Sequence, residues 1–292
     1  MNYLFIINPK SGLKINRYIE NKIKEKFLNT GHNFIIEYTK YKNHAKEITI
    51  NYLNKGYDNI IAVGGDGTIK EISSVLAGKN KINLGIIPCG SGNGLARNLS
   101  IPLNIDEAID VILKNKIRKI DCGLCNGDIF ISTCGTALDA KVAYLFNNTV
   151  HSRGLLPYFF HGALSYFKFK PHKTEVYMDG KKYEFYPIIA TVANGRQYGG
   201  GAIISPESYM DDGVLELVLI YDAGFLKTLF SLKSLFDSKI LQNDFVKCFK
   251  SSNFKIILPP KTVYHLDGED YKTQDGVLNI SVLKQSLSVI SV

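Results

Sequence analysis

The sequence predicts an α/β domain built on an open, mostly parallel sheet, followed by a second, β-rich and sandwich-like domain. Three observations predict it. From Met1 to Asp121, apolar strand-like runs alternate with helix-period segments. Beyond Asp121, short strand candidates follow one another in quick succession. Glycine-rich loops stand directly after strands of the first half.

The elements can be justified in order. Residues 3–7 form an apolar run that Asn8-Pro9 ends, read as a first strand with no leader or cleavage site. Ile15, Ile19, Ile23 and Phe27 recur every fourth position, one apolar stripe of a helix closed by Gly31. Residues 34–38 are strand-like again, and Ala45, Ile48, Tyr52 and Leu53 mark the next helix, ended at Gly56. A strand at 59–63, a helix at 68–77, a strand at 82–87 and a helix from Asp106 complete the alternation. Repeated β–α alternation implies parallel strands with helices on both faces.

The second half offers strands at 129–133, 175–178, 183–186, 188–193, 214–220, 254–258, 263–266 and 277–282. Asp179-Gly180 between two of them is a hairpin signal. Helical insertions are expected at about 138–169 and 225–236. No repeat or low-complexity linker separates the halves.

Composition narrows the partners. Apolar residues make 45% and charged residues 21% of the 292, a balance that supports a proper core. No stretch reaches the ~18 apolar residues that cross a bilayer. Five cysteines, an odd number, suit a reducing compartment, so a cytoplasmic setting is expected. Cys122 and Cys125 form a lone C-x-x-C pair, read as small core residues. The net charge of +8 suits nucleotides, nucleic acid or anionic lipid headgroups, and dispersed surface lysines would produce the same total.

The chemistry concentrates in three loops. Strand 59–63 runs into Gly64-Gly65-Asp66-Gly67-Thr68 and then a helix. Paired glycines allow close backbone approach, and amides at the head of the helix can hold phosphate oxygens. Asp66 is expected to stand free in the turn for a metal ion or its water. This is no Walker loop, because no Lys-Ser/Thr follows the glycines. Pro88-Cys89-Gly90-Ser91-Gly92-Asn93-Gly94 occupies the same place after the next strand, and Asn8-Pro9-Lys10-Ser11-Gly12 after the first. Three such loops along one sheet edge describe a nucleotide site.

These motifs, with Glu71 and with Leu95-Ala96-Arg97 after the second loop, resemble the diacylglycerol kinase and sphingosine kinase catalytic domain, most closely its bacterial single-chain lipid kinases. The likeness runs on through Val192-Ala193-Asn194-Gly195, Gly199-Gly200-Gly201, Ser205-Pro206, Asp211-Asp212-Gly213 and Leu266-Asp267-Gly268-Glu269. The resemblance implies a nucleotide domain like those of NAD and diacylglycerol kinases at 1–121, completed by 284–292. It implies a β-rich domain at 122–283 carrying lipid site, metal site and proton acceptor, with the active site in the cleft between. It also implies that Asn8, Pro9, Lys10, Ser11, Gly12, Thr39, Gly65, Asp66, Gly67, Thr68, Glu71 and Ser91 bind ATP. Asp212 would hold Mg2+ with the backbone carbonyls of Tyr209 and Val214, and Glu269 would accept the proton of a lipid hydroxyl. Asp66 is the second catalytic candidate, and Asp267 the reserve for Glu269.

The implied partner is a lipid at a membrane surface, with no nucleic acid and no transmembrane segment; a homodimer stays open. Segment 151–173, aromatic with Lys168, Lys170 and Lys173, reads either as a lipid-facing helix or as a core helix with a basic end. One departure stands out: Gly94 occupies a position where many bacterial members carry aspartate, so Asp121 is expected to compensate. NAD kinase, which shares the Gly-Gly-Asp-Gly-Thr loop, and a non-catalytic nucleotide- or lipid-binding module are the alternatives.

Overall fold

The computed structural model describes residues 1–11, 16–79, 81–149 and 165–292, which divide into two compact units. Met1–Ile120 and Gln285–Val292 make the first; Asp121–Lys284 makes the second. Gly12 and residues 151–164 of the aromatic segment, with His151 and His161, lie outside the described residues.

In chain order the first unit holds β1 (Asn2–Ile7), α1 (Asn16–Phe27), β2 (Asn33–Tyr38), α2 (His44–Tyr52), β3 (Asn59–Gly64) and α3 (Asp66–Leu76). It continues with β4 (Asn83–Pro88), the short α4 (Gly94–Asn98) and α5 (Ile105–Lys114), and β5 (Ile117–Cys125) leads into the second unit. The strands are parallel in the order β2-β1-β3-β4, with Phe5 opposite both Ile36 and Ile61. Their residues are buried almost without a break in β1, β3 and β4, which is why these segments are continuously apolar rather than alternating. Helices α1 and α5 pack together, as do α2 and α3. Because β1 connects to β2 on one side while β3 lies on its other side, the sheet order reverses between β1 and β3. Ligands of open α/β sheets bind outside the carboxyl ends of strands at such a point.

The second unit adds β6 (Asp128–Phe130), β7 (Thr133–Ala137), α6 (Leu138–Thr149), β8 (Thr174–Met178), β9 (Lys181–Phe185) and β10 (Ile189–Ala193). After these come β11 (Gln197–Gly199), β12 (Ala202–Ile203), β13 (Leu215–Ile220), α7 (Phe225–Phe236), β14 (Val246–Ser251), β15 (Asn253–Ile257), β16 (Val263–Leu266), β17 (Glu269–Lys272) and β18 (Val277–Ile290). One sheet runs β14-β13-β10-β7-β16-β17; β9, β8, β15 and the start of β18 form another. Val176, Phe254, Ile256 and Leu278 from the second sheet share a buried core with Val192, Leu217 and Leu266 from the first, as in a β-sandwich. Cys122 and Cys125 are buried thiols, and none of the five cysteines is in a disulfide.

Three differences from the expected elements have physical causes. The single run at 129–133 is two strands, because the Asp267 carboxylate takes the amides of Ile131, Ser132 and Thr133 out of the ladder. The strand expected at 277–282 is 14 residues long, and its end pairs with β4, Val289 opposite Leu84. The third helix begins at Asp66 rather than Thr68, with Gly65 as its N-cap and no side-chain cap bond.

Candidate functional site

The three loops of the first unit are joined by specific bonds. The Asn8 side-chain amide donates to the Thr68 hydroxyl at 3.1 Å, and Asn8 N–H donates to the Val63 carbonyl at 2.9 Å. The Asn8 side-chain oxygen accepts the Lys10 N–H at 3.0 Å, and its carbonyl accepts that of Ser11 at 3.1 Å. The loop after β1 is therefore folded on itself and tied to the start of α3. Gly64 has no room for a side chain, since a Cβ there would lie 2.7 Å from the Thr68 hydroxyl.

The loop after β4 crosses the same turn. The Cys89 N–H donates to the Gly64 carbonyl at 2.8 Å, and a Cβ on Gly90 would sit 2.6 Å from the Gly65 Cα. Two backbones touch here, and only glycine permits it. Gly67, two residues along, is exposed and has nothing within 4 Å of a built Cβ. Open space thus stands at the head of α3, where the first helical amides lack intrahelical partners and the dipole favours an anion. Ser91 is exposed on the crossing loop. Burial pushes the Cys89 thiol up to about 11, so at neutral pH it is no nucleophile.

Asp66 does not stand free as expected: its carboxylate accepts the Gly94 N–H at 2.7 Å. Gly94 opens α4, so this amide is an unpaired helix-terminal donor, and the acid joins the two glycine loops. Asn93 braces the loop after β4 from within. It is buried at φ 52, and its side chain both accepts from Gly90 N–H and donates to the Gly90 carbonyl. Arg97 Nε donates to the Gly92 carbonyl at 3.2 Å. Glu71 directs both oxygens, each at 3.0 Å, to the amides of Asn43 and Ala45 at the start of α2. Any part it plays towards a nucleotide runs through that loop. Thr39 is buried, with its N–H on the Ile7 carbonyl at 2.9 Å.

In the second unit, Asp121 serves its own surroundings. Its Oδ2 accepts the Gly213 N–H at 2.7 Å, and its N–H donates to the Met210 carbonyl. Asp121 thereby anchors the Asp211-Asp212-Gly213 turn. Asn194 is buried too and donates to the carbonyls of Asp121 and Ile131 at 2.9 and 2.7 Å, which accounts for its place in the sequence motif. Asp212 is exposed beside Gly213 (φ 73), with one oxygen on Val214 N–H at 3.0 Å; Tyr209 is exposed and Val214 is partly so. Among the described residues no group of three or more His, Cys, Asp or Glu could hold a metal. A cation here would rest on one carboxylate and backbone carbonyls, and such hard oxygen donors fit Mg2+.

Glu269 begins β17, partly buried, where Leu266 is its cross-strand partner. Asp267, the reserve candidate, is committed to backbone amides. At φ 50, its carboxylate accepts the N–H groups of Ile131, Ser132 and Thr133 at 2.8, 2.7 and 3.0 Å. Beside it lies a buried cluster that sequence reasoning missed. Asp139 Oδ2 accepts the Thr191 hydroxyl at 2.7 Å, lies 3.2 Å from the Tyr198 hydroxyl, and is 3.3 Å from His265 Nε2. The other His265 nitrogen accepts Gly268 N–H at 3.3 Å, one residue before Glu269. Gly135 makes room for the pair, since its Cβ would lie 2.3 Å from both partners. A lone histidine and a lone aspartate 126 positions apart carry no sequence signal.

This fold and these loops define a two-domain protein of the NAD-kinase and diacylglycerol-kinase type. Residues 2–125 match the model of the diacylglycerol kinase catalytic domain, and residues 132–291 that of the YegS C-terminal NAD kinase beta sandwich-like domain. The chain belongs to this diacylglycerol kinase family. It is 28% identical over 267 residues to the diacylglycerol kinase of Bacillus subtilis (strain 168), covering 90% of this chain and 88% of the relative. It is 29% identical to a Yersinia enterocolitica protein named "Probable lipid kinase YegS-like", covering 91% and 89%. A Bacillus anthracis str. Sterne crystal structure assigned to a diacylglycerol kinase superposes with TM-score 0.83 at 25% identity, over 100% of this chain and 95% of that one. Yeast NADH kinase, complexed with NADH, shares the fold alone: TM-score 0.56 at 12% identity, over 100% and 84%.

Proposed function

We propose that the protein is a lipid kinase that transfers the γ-phosphate of ATP to the hydroxyl of diacylglycerol, a related glycerolipid or a sphingoid base. The observation that carries this reading is the crossing of the glycine loops after β3 and β4, next to the sheet's reversal point, with open space over Gly67 at the head of α3. Family membership supplies the lipid as acceptor.

In this reading Asn8, Pro9, Lys10, Ser11, Gly12, Thr39, Gly65, Gly67, Thr68 and Ser91 bind ATP, with Glu71 holding the loop before α2. Helix α3 directs amides at the phosphates, and Asp66 keeps the two glycine loops joined while facing the metal-nucleotide. Asp212 and the carbonyls of Tyr209 and Val214 would hold Mg2+, which when bound would fix the Asp211-Asp212-Gly213 turn. Glu269 orients the acceptor hydroxyl and takes its proton. The lipid oxygen bonds to the γ-phosphorus, the bond from that phosphorus to the bridging oxygen breaks, and ADP leaves with the electron pair.

The five unpaired cysteines suit a reducing cytoplasm, and no described helix is long and apolar enough to cross a membrane. The reading therefore places the protein on the cytoplasmic face of a bilayer, where its substrate resides. The test is labelled ATP with Mg2+, a panel of lipids, and NAD. Label in a lipid supports the reading, and label in NAD phosphate alone overturns it.

A further inference from the structure

The helix α7 (Phe225–Phe236) carries apolar residues on both its inner and its outer side. Its sequence, FLKTLFSLKSLF, contains no acid, and none of its residues is buried. At 100° per residue, Leu226, Leu229, Phe230 and Phe236 fall within an arc of about 120° with Lys233 near its middle. That arc faces solvent: Leu226 is 66% and Phe230 77% exposed, and Leu229 and Phe236 are also exposed. The opposite side carries Thr228, Ser231 and Ser234, the two serine hydroxyls bonded back to carbonyls of the helix, while Leu235 packs on the core. A surface helix of a soluble protein turns its apolar stripe inward; this one keeps Phe225, Leu232 and Leu235 partly buried and turns a second apolar stripe outward. Phe167, also exposed, packs its ring tilted against that of Phe225 at 4.6 Å and widens the patch, and Lys168 and Lys170 next in sequence are exposed.

A shallow recess beside the helix is lined by Lys227, Phe230, Lys233, Asp237, Lys239 and Asn243. Three ammonium groups against one carboxylate make its rim basic, although Lys227 also bonds Asp244 at 2.7 Å. This charge decides between two coverings of the patch. In a twofold dimer built on α7, Lys233 would meet its own copy at the centre of an apolar contact, which disfavours self-association. On an anionic bilayer the same lysine reaches phosphates while its neighbours enter the acyl boundary.

We infer that α7, extended by Phe167, docks the protein on an anionic phospholipid bilayer, with Lys227, Lys233 and Lys239 at the headgroups. The inference deepens the lipid-kinase reading and rests on it for the protein's need of a membrane, but binding alone tests it. Full-length protein is sedimented with sucrose-loaded vesicles of phosphatidylcholine, with and without phosphatidylglycerol as a third of the lipid. The wild type sediments with the anionic vesicles, and raised salt releases it. Phe230→Asp, and separately Lys233→Glu with Lys239→Glu, weaken partitioning by roughly tenfold or more. Phe230→Ser, milder at this exposed position, lies between, and equal urea midpoints establish that the variants are folded.

Phosphorylation of a short-chain diacylglycerol offered without vesicles stays at the wild-type rate in Phe230→Asp. Wild-type protein left in the supernatant overturns the inference. So does equal sedimentation of wild type and Phe230→Asp, or a wild-type dimer that Phe230→Asp dissociates with no loss of vesicle binding. Vesicle binding abolished by Phe230→Asp in a protein that phosphorylates no lipid leaves the docking standing and sinks the kinase reading.

Discussion

Removing the Asp267 carboxylate should cost more stability than any other single change in the Leu266-Asp267-Gly268-Glu269 turn. The carboxylate is the acceptor for three consecutive backbone amides, those of Ile131, Ser132 and Thr133, across 136, 135 and 134 positions of chain. Its own N–H returns a bond to the Thr133 carbonyl at 2.8 Å. Hydrogen bonds to a charged acceptor contribute about 1.5–3 kcal/mol each, and partial relaxation with water entry recovers some of that. Asp267→Ala, which also sets alanine at φ 50, is therefore expected to cost about 4 kcal/mol. Asp267→Asn can keep the oxygen shared by Ser132 and Thr133 and loses the bond from Ile131, for about 2 kcal/mol. Urea unfolding followed by circular dichroism measures both. Because the turn presents Glu269, turnover should fall in the same order. An Asp267→Ala protein within about 1 kcal/mol of the wild type would refute the reasoning, since that is the scale of an ordinary surface change.

Three further outcomes are expected. Gly90→Ala forces the loops apart at the 2.6 Å contact with Gly65 and should lower nucleotide affinity at least tenfold by titration, whereas Gly67→Ala, with open space around it, should leave the melting temperature unchanged and raise the KM for ATP. Glu269→Gln and Asp66→Asn should each reduce kcat by orders of magnitude at unchanged urea midpoint; wild-type rates would remove either from the mechanism. Burial raises the pKa of Glu216 above the ordinary carboxylate value, against the Ser208 hydroxyl and Lys250 that lower it. The stability this group contributes is full below the unfolded-state value and lost as pH rises through the higher folded one. Glu216→Gln should therefore gain on the wild type across that interval, and parallel stability curves between roughly pH 4 and pH 8 would contradict it.

The periodicities alone were enough for the alternating first half and the strand-rich second half, because buried parallel strands and amphipathic helices impose different spacings on apolar residues. Expected segments such as 263–266 match strands residue for residue, while β14 and β17, rich in lysine and carboxylate, escaped the apolar pattern. The outward apolar face of α7 escaped as well, since only packing shows which of its apolar residues face out.

The candidate site divides along the same line. Residue types and their order marked Gly64 to Thr68, Gly90 to Gly94, Asp212 and Glu269, because phosphate binding and proton transfer demand those chemistries locally. What each group does with its hydrogen bonds was decided by contacts between segments distant in sequence. Asp66 holds Gly94, Glu71 holds the start of α2, Asp121 holds Gly213, and Asp267 holds the break between β6 and β7. A carboxylate in a motif has several lone pairs to offer, and sequence determines that they are present. Only the tertiary structure decides which buried amides, left without ladder or helix partners, come to claim them.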